Sequence, residues 1–508
     1  MNLFADNLWR KVICDVSPQN MCKRIMKLVG RKKEIGELED LYRSGQAEFV
    51  AVLGRRRVGK TYLVNELFCG RLFFQHAGLS PVEAKEAPER TQLEAQLNHF
   101  VRSLQRQGAE VSGSVKSWGD AFFQLERFLG SASRRKRVVV FLDELPWMDT
   151  PKSGFVTALE GFWNNYACHQ KNILLIVAGS SSSWMEDVLI NAHGGLYGRV
   201  TYEIRLRPFS LGETEAFLSE KGVRLSRYDI AQAYMILGGI PYYLNYLKKG
   251  KSLAQSIDEM FFSLDAKLSM EFNRLFASLF TDPDTMIVIV RALFSKAKGL
   301  TRKEIIAATP LEEGGKLSTS LEGLIRGGFV QKYCPLGESK REPRYRLCDP
   351  FCCFYLRFVD AGTALPAAFW QPNVESRPVS TWRGLAFENV CMLHLEQIKR
   401  SLGISGVSVS SSLWSKLADE EGPGAQIDLI LDRADGIVDM CEAKFYSGEF
   451  SVTEKYANVI QNRITALASA VSPKKAIHSV LLTTKGLKYG EYSGSFDATV
   501  VLDDLFAL

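Results

Sequence analysis

The chain has 508 residues, enough for roughly three or four domains of ~150 residues each. With 46% apolar and 24% charged residues it has ordinary globular composition, which excludes a largely disordered or fibrous protein. A net charge of +6 permits a nucleic-acid partner without demanding one, because binding depends on a clustered face. Residues 1–27 read as an N-terminal extension of little pattern, with acids and no continuous apolar stretch, a poor secretory signal. From about Leu28 to Arg207 the apolar runs Phe49–Leu53, Val138–Leu142, Ile173–Ala178 and Val200–Leu206 alternate with longer amphipathic stretches. That alternation predicts an α/β core over 28–208, a parallel sheet with helices on both faces.

Gly54-Arg55-Arg56-Arg57-Val58-Gly59-Lys60-Thr61 lies between the first strand and a helix beginning Thr61-Tyr62. It fits the phosphate-cradling pattern G-x-x-x-x-G-K-[ST], here in the strand-to-helix context that the pattern needs. Backbone N–H groups of such a loop converge on one point, and the helix N-terminus adds positive potential there. Lys60 can then reach the β- and γ-phosphates, and the Thr61 hydroxyl can hold Mg²⁺. The strand Val138–Leu142 ends in Asp143-Glu144. Asp143 is the expected Mg²⁺ holder and Glu144 the residue that orients the attacking water. The cofactors implied are ATP and Mg²⁺.

From Ser210 to Asp284 the pattern turns helical: 212–221, 226–237, 241–249 and 253–276, a helical lid over 209–284. Residues 285–360 carry a helix at 285–296, two shorter helices at 301–309 and 316–327, then strands at 329–334 and 344–347, the winged-helix order. Its basic residues Arg302, Lys303, Lys316, Arg326, Lys332, Lys340, Arg341, Arg344 and Arg346 would contact DNA phosphates if they share a face; solvated helix faces are the plain alternative. Three prolines and no period make 361–378 a linker.

The last stretch, 379–508, is again α/β. Gln426–Leu431 and Ile437–Lys444 flank an Asp435-Gly436 turn and read as a hairpin. Glu442 and Lys444, two apart on a strand, share a face that Asp428 can join. Two acids that hold Mg²⁺ and a lysine that positions or activates the nucleophile are what a metal-dependent phosphodiesterase needs. A solvated acid–base hairpin is the bland alternative. The ten cysteines form no C-x-x-C pair, and the spacing of Cys348, Cys352 and Cys353 does not suit zinc; free thiols in a reducing compartment are expected. The longest apolar runs are too short to cross a bilayer, so the expectation is a cytoplasmic protein without a membrane partner.

Leu28-Val29-Gly30-Arg31-Lys32-Lys33-Glu34 resembles the hhGRExE motif of STAND-type ATPases, a branch of the AAA+ superfamily, departing at Lys32 where Glu is usual. Gly239-Ile240-Pro241 looks like that family's GxP motif. The resemblance, closest to the archaeal-type ATPase group, covers about 28–358. It implies that Val29, Gly30 and Arg31 pack near the adenine and that Gly239 and Pro241 also lie near the base. It further implies a sensor 1 role for Ser180, which could otherwise cap a helix, and a γ-phosphate role for Arg199, which could otherwise be a surface charge. The C-terminal hairpin resembles the PD-(D/E)xK nuclease core, with Ile427 in place of the motif's proline. In that fold the first helix often supplies another acid, here Glu388 in the helix opened by Gly384-Leu385-Ala386-Phe387. The reading is an ATPase whose winged helix and nuclease-like domain bind or act on DNA. ATP, DNA and a second copy or another protein are its implied partners. The alternative is a nucleotide switch whose C-terminal part is an inactive binding module.

Overall fold

The computed structural model describes residues 28–86, 89, 91–132, 135–180, 184–190, 198–337, 342–360, 368–416 and 424–508. The expected extension at 1–27, the linker residues 361–367, and Lys340 and Arg341 lie outside these. The chain divides into two compact units between Arg207 and Pro208.

The first unit holds β1 (Glu48–Leu53), β2 (Leu72–Ala77), β3 (Val138–Asp143), β4 (Ile173–Ala178) and β5 (Tyr202–Arg205) in one parallel five-stranded sheet, order β2-β3-β4-β1-β5. Every residue of β3 and β4 is buried, as expected of parallel strands covered on both faces. Helices α1 (Lys32–Arg43), α2 (Lys60–Leu67), α3 (Gln92–Arg106), α4 (Trp118–Gly130) and α5 (Phe155–Asn165) connect and flank them. Capping boxes start two of these: Thr91 with Glu94 and Ser117 with Asp120 each satisfy orphan N–H groups reciprocally. One face of the sheet packs on an aromatic cluster of Phe100, Trp118, Phe122, Phe155 and Phe162. The sequence pattern missed β2, an edge strand whose polar Gln75 and His76 interrupt the apolar run. Insertion of β4 between β1 and β3 is what positions the site, because it sets the end of β4 between the phosphate loop and the acids of β3.

The second unit begins with α6 (Leu211–Glu220) and α7 (Arg227–Leu237), the latter almost wholly buried and ended by Gly238 in the left-handed region. Gly239 is left-handed too (φ 65°), and a Cβ there would stand 2.2 Å from the Phe209 carbonyl oxygen and 2.6 Å from the Tyr234 ring. Pro241 starts a single turn, Pro241–Leu244, where a longer helix was expected. The helix expected over 253–276 is likewise broken. Leu253–Ile257 runs into a widened turn at Asp258–Phe262, and α8 (Glu271–Leu279) starts anew. Asp258, which opens the widened turn, is buried and accepts the backbone N–H groups of Trp370 (2.6 Å) and Gln371 (3.0 Å).

Next come α9 (Pro283–Phe294), β6 (Leu300–Thr301), α10 (Arg302–Ala308), α11 (Gly315–Arg326), β7 (Val330–Tyr333) and β8 (Arg344–Leu347). The three strands form an antiparallel sheet, order β6-β8-β7. The end of the expected linker is not a linker. Trp370 is buried against Phe354, Phe358 and Trp382, and Pro378 lies in the first turn of α12 (Arg377–Leu393), where its missing N–H costs nothing. Gly384–Glu388 therefore lies inside a helix rather than at its start.

The C-terminal sheet combines β9 (Val409–Lys416), β10 (Ala425–Arg433), β11 (Ile437–Lys444), β12 (Ala476–Thr483) and β13 (Ala498–Val501) in the order β13-β12-β11-β10-β9. The first three are antiparallel, and α13 (Glu454–Ala468) crosses over so that β12 runs parallel to β11. Gly436 makes the hairpin turn with φ 87°. The eight cysteines among the described residues are free thiols. No described helix is long and apolar enough to cross a membrane.

Candidate functional site

Two clusters of charged side chains stand out, one in each unit. In the first unit the loop Gly54–Thr61 leaves β1 and enters α2. Gly54 (φ 146°) has no room for a Cβ, which would meet the Leu206 carbonyl oxygen at 2.5 Å. Gly59 (φ 95°) ends the loop, and the space its Cβ would fill is open, as a cradle that admits a ligand against backbone requires. Arg57 also has positive φ (73°), while Arg55 and Val58 are buried, Arg56 is half-buried and Tyr62 faces outward.

Lys60 is buried, and its Nζ donates to the carbonyl oxygens of Gly54 (2.7 Å) and Arg55 (3.2 Å) and to Ser180 Oγ (3.3 Å). Burial pushes the Lys60 pKa down, opposed by Glu144 and Asp143. Thr61 Oγ1 donates to Asp143 Oδ2 at 2.5 Å. Burial, with Glu144 beside it, raises Asp143 to about 6. Glu144 sits in the left-handed region (φ 48°), and its carboxylate accepts from Ser180 N (3.0 Å) and Ser180 Oγ (2.5 Å). Ser180, at the end of β4, thus links the lysine to the acid. Val29 and Gly30 are half-buried, and buried Arg31 donates from Nη2 to the Val58 carbonyl oxygen at 3.3 Å, tying this segment to the loop. Arg199 is exposed in the turn before β5, outside these contacts. Gly239 and Pro241 belong to the second unit.

The fit to a nucleotide with Mg²⁺ is chemical. Thr61 and Asp143 offer hard oxygen donors side by side, and the raised Asp143 pKa marks negative charge that a cation would offset.

In the second unit Glu388, Asp428, Glu442 and Lys444 come together. The register Leu429↔Cys441 sets Asp428 and Glu442 across from each other at its next step. A register irregularity between Ile427 and Ile430 falls on Asp428, the kind of bulge that re-aims a side chain. Both acids are buried. Asp428 Oδ2 accepts from Ala443 N (3.1 Å), and Lys444 Nζ donates to Glu442 Oε1 (2.5 Å). Burial and the Glu442 charge raise Asp428 to about 6. Burial and Asp428 raise Glu388, on α12, to about 8.

The sequence reading missed Tyr456 and Arg463 on α13. Tyr456 donates to Glu442 Oε1 (2.5 Å), and Arg463 pairs with Glu442 Oε2. Their i, i+7 spacing on the helix that follows Lys444 was the available signal. Lys298 and Arg346, from the preceding module, also face these acids. Among the described residues no group of three or more His, Cys, Asp or Glu is arranged to hold a metal.

The basic residues expected on a DNA-facing surface are mostly paired with acids: Arg302 with Glu313, Lys303 with Glu342, Lys316 with Asp282, Arg326 with Glu322, and Arg344 with Glu304. Arg346 is buried, donating to Gln331 Oε1 (3.2 Å) and Asn389 Oδ1 (3.0 Å), and cannot serve on that surface.

Residues 28–247 match the family model of an ATPase domain predominantly from Archaea. Over those residues the chain is similar to archaeal-type ATPase domains. An uncharacterized protein of Methanocaldococcus jannaschii is 24% identical over 375 residues, 73% of this chain and 78% of that protein. Among solved structures, the Walker-type ATPase of Pyrococcus abyssi is similar at 20% identity and a TM-score of 0.47, covering 65% of this chain and 96% of its own. The Aeropyrum pernix ORC1 protein, solved in complex with DNA, is similar at 13% identity and a TM-score of 0.36, covering 63% and 90%.

Proposed function

We propose that the first unit binds and hydrolyses ATP, and that the C-terminal acids form a nuclease-like site acting on DNA under nucleotide control. The observation that carries the second part is the meeting of Glu388, Asp428, Glu442 and Lys444 on a succession of α12, a short helix Leu395–Ser401, β9, β10, β11, α13 and β12.

In the ATPase unit, Lys60 exchanges the carbonyls of Gly54 and Arg55 for the β- and γ-phosphates. Thr61 and Asp143 would hold Mg²⁺, which when bound offsets phosphate charge. Glu144 orients the attacking water, and Ser180, bonded to both Lys60 and Glu144, couples the phosphate end to that acid. Val29, Gly30 and Arg31 are assigned to the base, and Arg199 to the γ-phosphate. In the C-terminal site Asp428 and Glu442 would hold the metal ion. Lys444 positions the nucleophile, and Glu388, with a pKa of about 8, keeps a proton to donate near neutrality. The order of α9 to β8, with its antiparallel hairpin, supports a winged-helix role in DNA binding. Its ion pairs exchange for phosphates at small cost, since exposed pairs contribute about 0–1 kcal/mol each.

A second reading has one observation in its favour. Both Glu442 oxygens are engaged, by Lys444 and Tyr456 on one side and Arg463 on the other, which suits an inactive nucleic-acid-binding module. Cleavage of single- and double-stranded DNA with Mg²⁺ or Mn²⁺ and ATP separates the readings. Asp428→Asn is expected to abolish cleavage while leaving ATP turnover intact. Wild type that leaves every substrate whole sinks the nuclease reading and leaves the binding module.

A further inference from the structure

Beside the carboxylates lies a cavity of about 410 Å³ lined by Lys298, Ser415, Lys416, Gln426, Asn462 and Arg463, with Ala425 and Val459 as apolar walls. Three of its lining residues are cationic and none is an acid. Lys298 comes from the turn after α9, and its backbone is held by the Tyr333 hydroxyl, which donates to the Lys298 carbonyl oxygen (2.5 Å). A smaller void of about 40 Å³ shares Lys298 and Gln426 with it and reaches Glu388 and Asp428. Arg346 also lines that void; it is 6% exposed, and its Nε has no hydrogen-bond partner among the described residues. Residues of both modules of the second unit therefore line two adjoining spaces, with Lys298 at both of them.

We propose that this cavity binds a nucleoside monophosphate unit, its phosphate taken by Lys298 and the cations opposite, so that the helix–hairpin module completes the C-terminal site. The size is that of a small-ligand pocket, roughly 300–1,000 Å³, and exceeds what a phosphate alone needs. The side-chain amides of Gln426 and Asn462 and the Ser415 hydroxyl offer donors and acceptors for a base or sugar, and Ala425 and Val459 offer apolar contact. The unit can be one residue of a strand or a free nucleotide; both present the same phosphate and base. The proposal rests on the reading that the neighbouring acids address nucleic acid.

The test uses the full chain carrying Lys60→Ala, so that the ATP loop does not compete, in EDTA. Fluorescence anisotropy measures binding of a labelled single-stranded oligothymidylate and of a fluorescent deoxynucleoside monophosphate across a salt series. Lys298→Gln is expected to weaken oligonucleotide binding about tenfold, the loss of one charge-assisted contact. The salt slope should fall by about 0.7, one single-strand phosphate contact, and Lys298→Arg should restore both. Equal loss for the mononucleotide assigns the site to free nucleotides; loss for the strand alone assigns it to a strand. Unchanged affinity and slope in Lys298→Gln, or no binding of either probe by the parent, overturns the proposal. If cleavage is lost in Asp428→Asn while Lys298→Gln binds normally, only the subsite falls. If Lys298→Gln weakens binding and nothing is ever cleaved, the subsite stands and the nuclease reading falls.

Discussion

Glu388→Gln gives the sharpest check on the C-terminal electrostatics. In the folded chain burial and the facing Asp428 hold the Glu388 carboxyl near 8, against an ordinary 4.5. Between those two values the unfolded chain has released the proton and the folded chain still holds it. Stability therefore falls as pH rises through the window and levels off above about 8. Each unit costs about 1.4 kcal/mol, so this one group removes roughly 2–3 kcal/mol between about pH 6 and about pH 9. Glutamine cannot titrate. Its variant should gain on wild type steadily over that range, and the gap in unfolding temperature should widen by several degrees. Calorimetric melts of both proteins in EDTA at the two pH values measure it. A gap that stays constant with pH would refute the argument, because it would mean that Glu388 ionises as freely in the fold as in water.

Two further outcomes follow from close contacts in each unit. Glu144→Gln should keep nucleotide affinity and lose turnover, read by equilibrium binding beside phosphate release; turnover equal to wild type removes the role given to Glu144. Gly239→Ala should destabilise the second unit by roughly 1–3 kcal/mol from the left-handed backbone alone, with the overlap against Phe209 and Tyr234 adding to it. Gly436→Ala, also left-handed but in open space, should cost only the backbone part, and equal losses at the two positions in denaturant titrations would contradict the crowding at Gly239.

The phosphate loop was legible because its pattern needs a buried strand before it and a helix after it, and both lie within a few residues of Gly54–Thr61. The hairpin acids were legible because a period of two is short-range and the Asp435-Gly436 turn sets the register. What failed was set at long range. The expected 253–276 helix widens at Asp258, whose carboxylate meets the backbone at Trp370 and Gln371, more than a hundred residues away in sequence. The proline-bearing stretch before α12 reads as a linker locally and becomes ordered because Trp370 finds Phe354, Phe358 and Trp382. Arg346 carries the same charge as its neighbours in the sequence, and only the packing of β8 near α12 shows that it points inward, to Asn389.

The same hairpin contains its own control for the bland reading of the C-terminal acids. At the turn, Arg433 pairs with Asp435 at the surface, and the guanidinium holds the Asp435 carboxyl below its ordinary value. That is how a solvated acid–base hairpin behaves: the charges are stabilised where they stand, at little cost and with little effect on neighbours. One strand-length away the physics reverses. Asp428 and Glu442 are 7% and 2% exposed, and Asp428 is driven up although Lys444 and Arg463 are near. Glu388 is driven up further, by burial first and then by the facing Asp428. Asp428 and Glu388 lower stability where they ionise, and cations from β11, β8 and α13 converge on this cluster without cancelling the effect. A structural salt bridge needs one acid per base and tends to lower the acid's pKa. Extra acids kept at a cost to stability are what the proposed site for a charged ligand calls for, and a plain solvated hairpin does not.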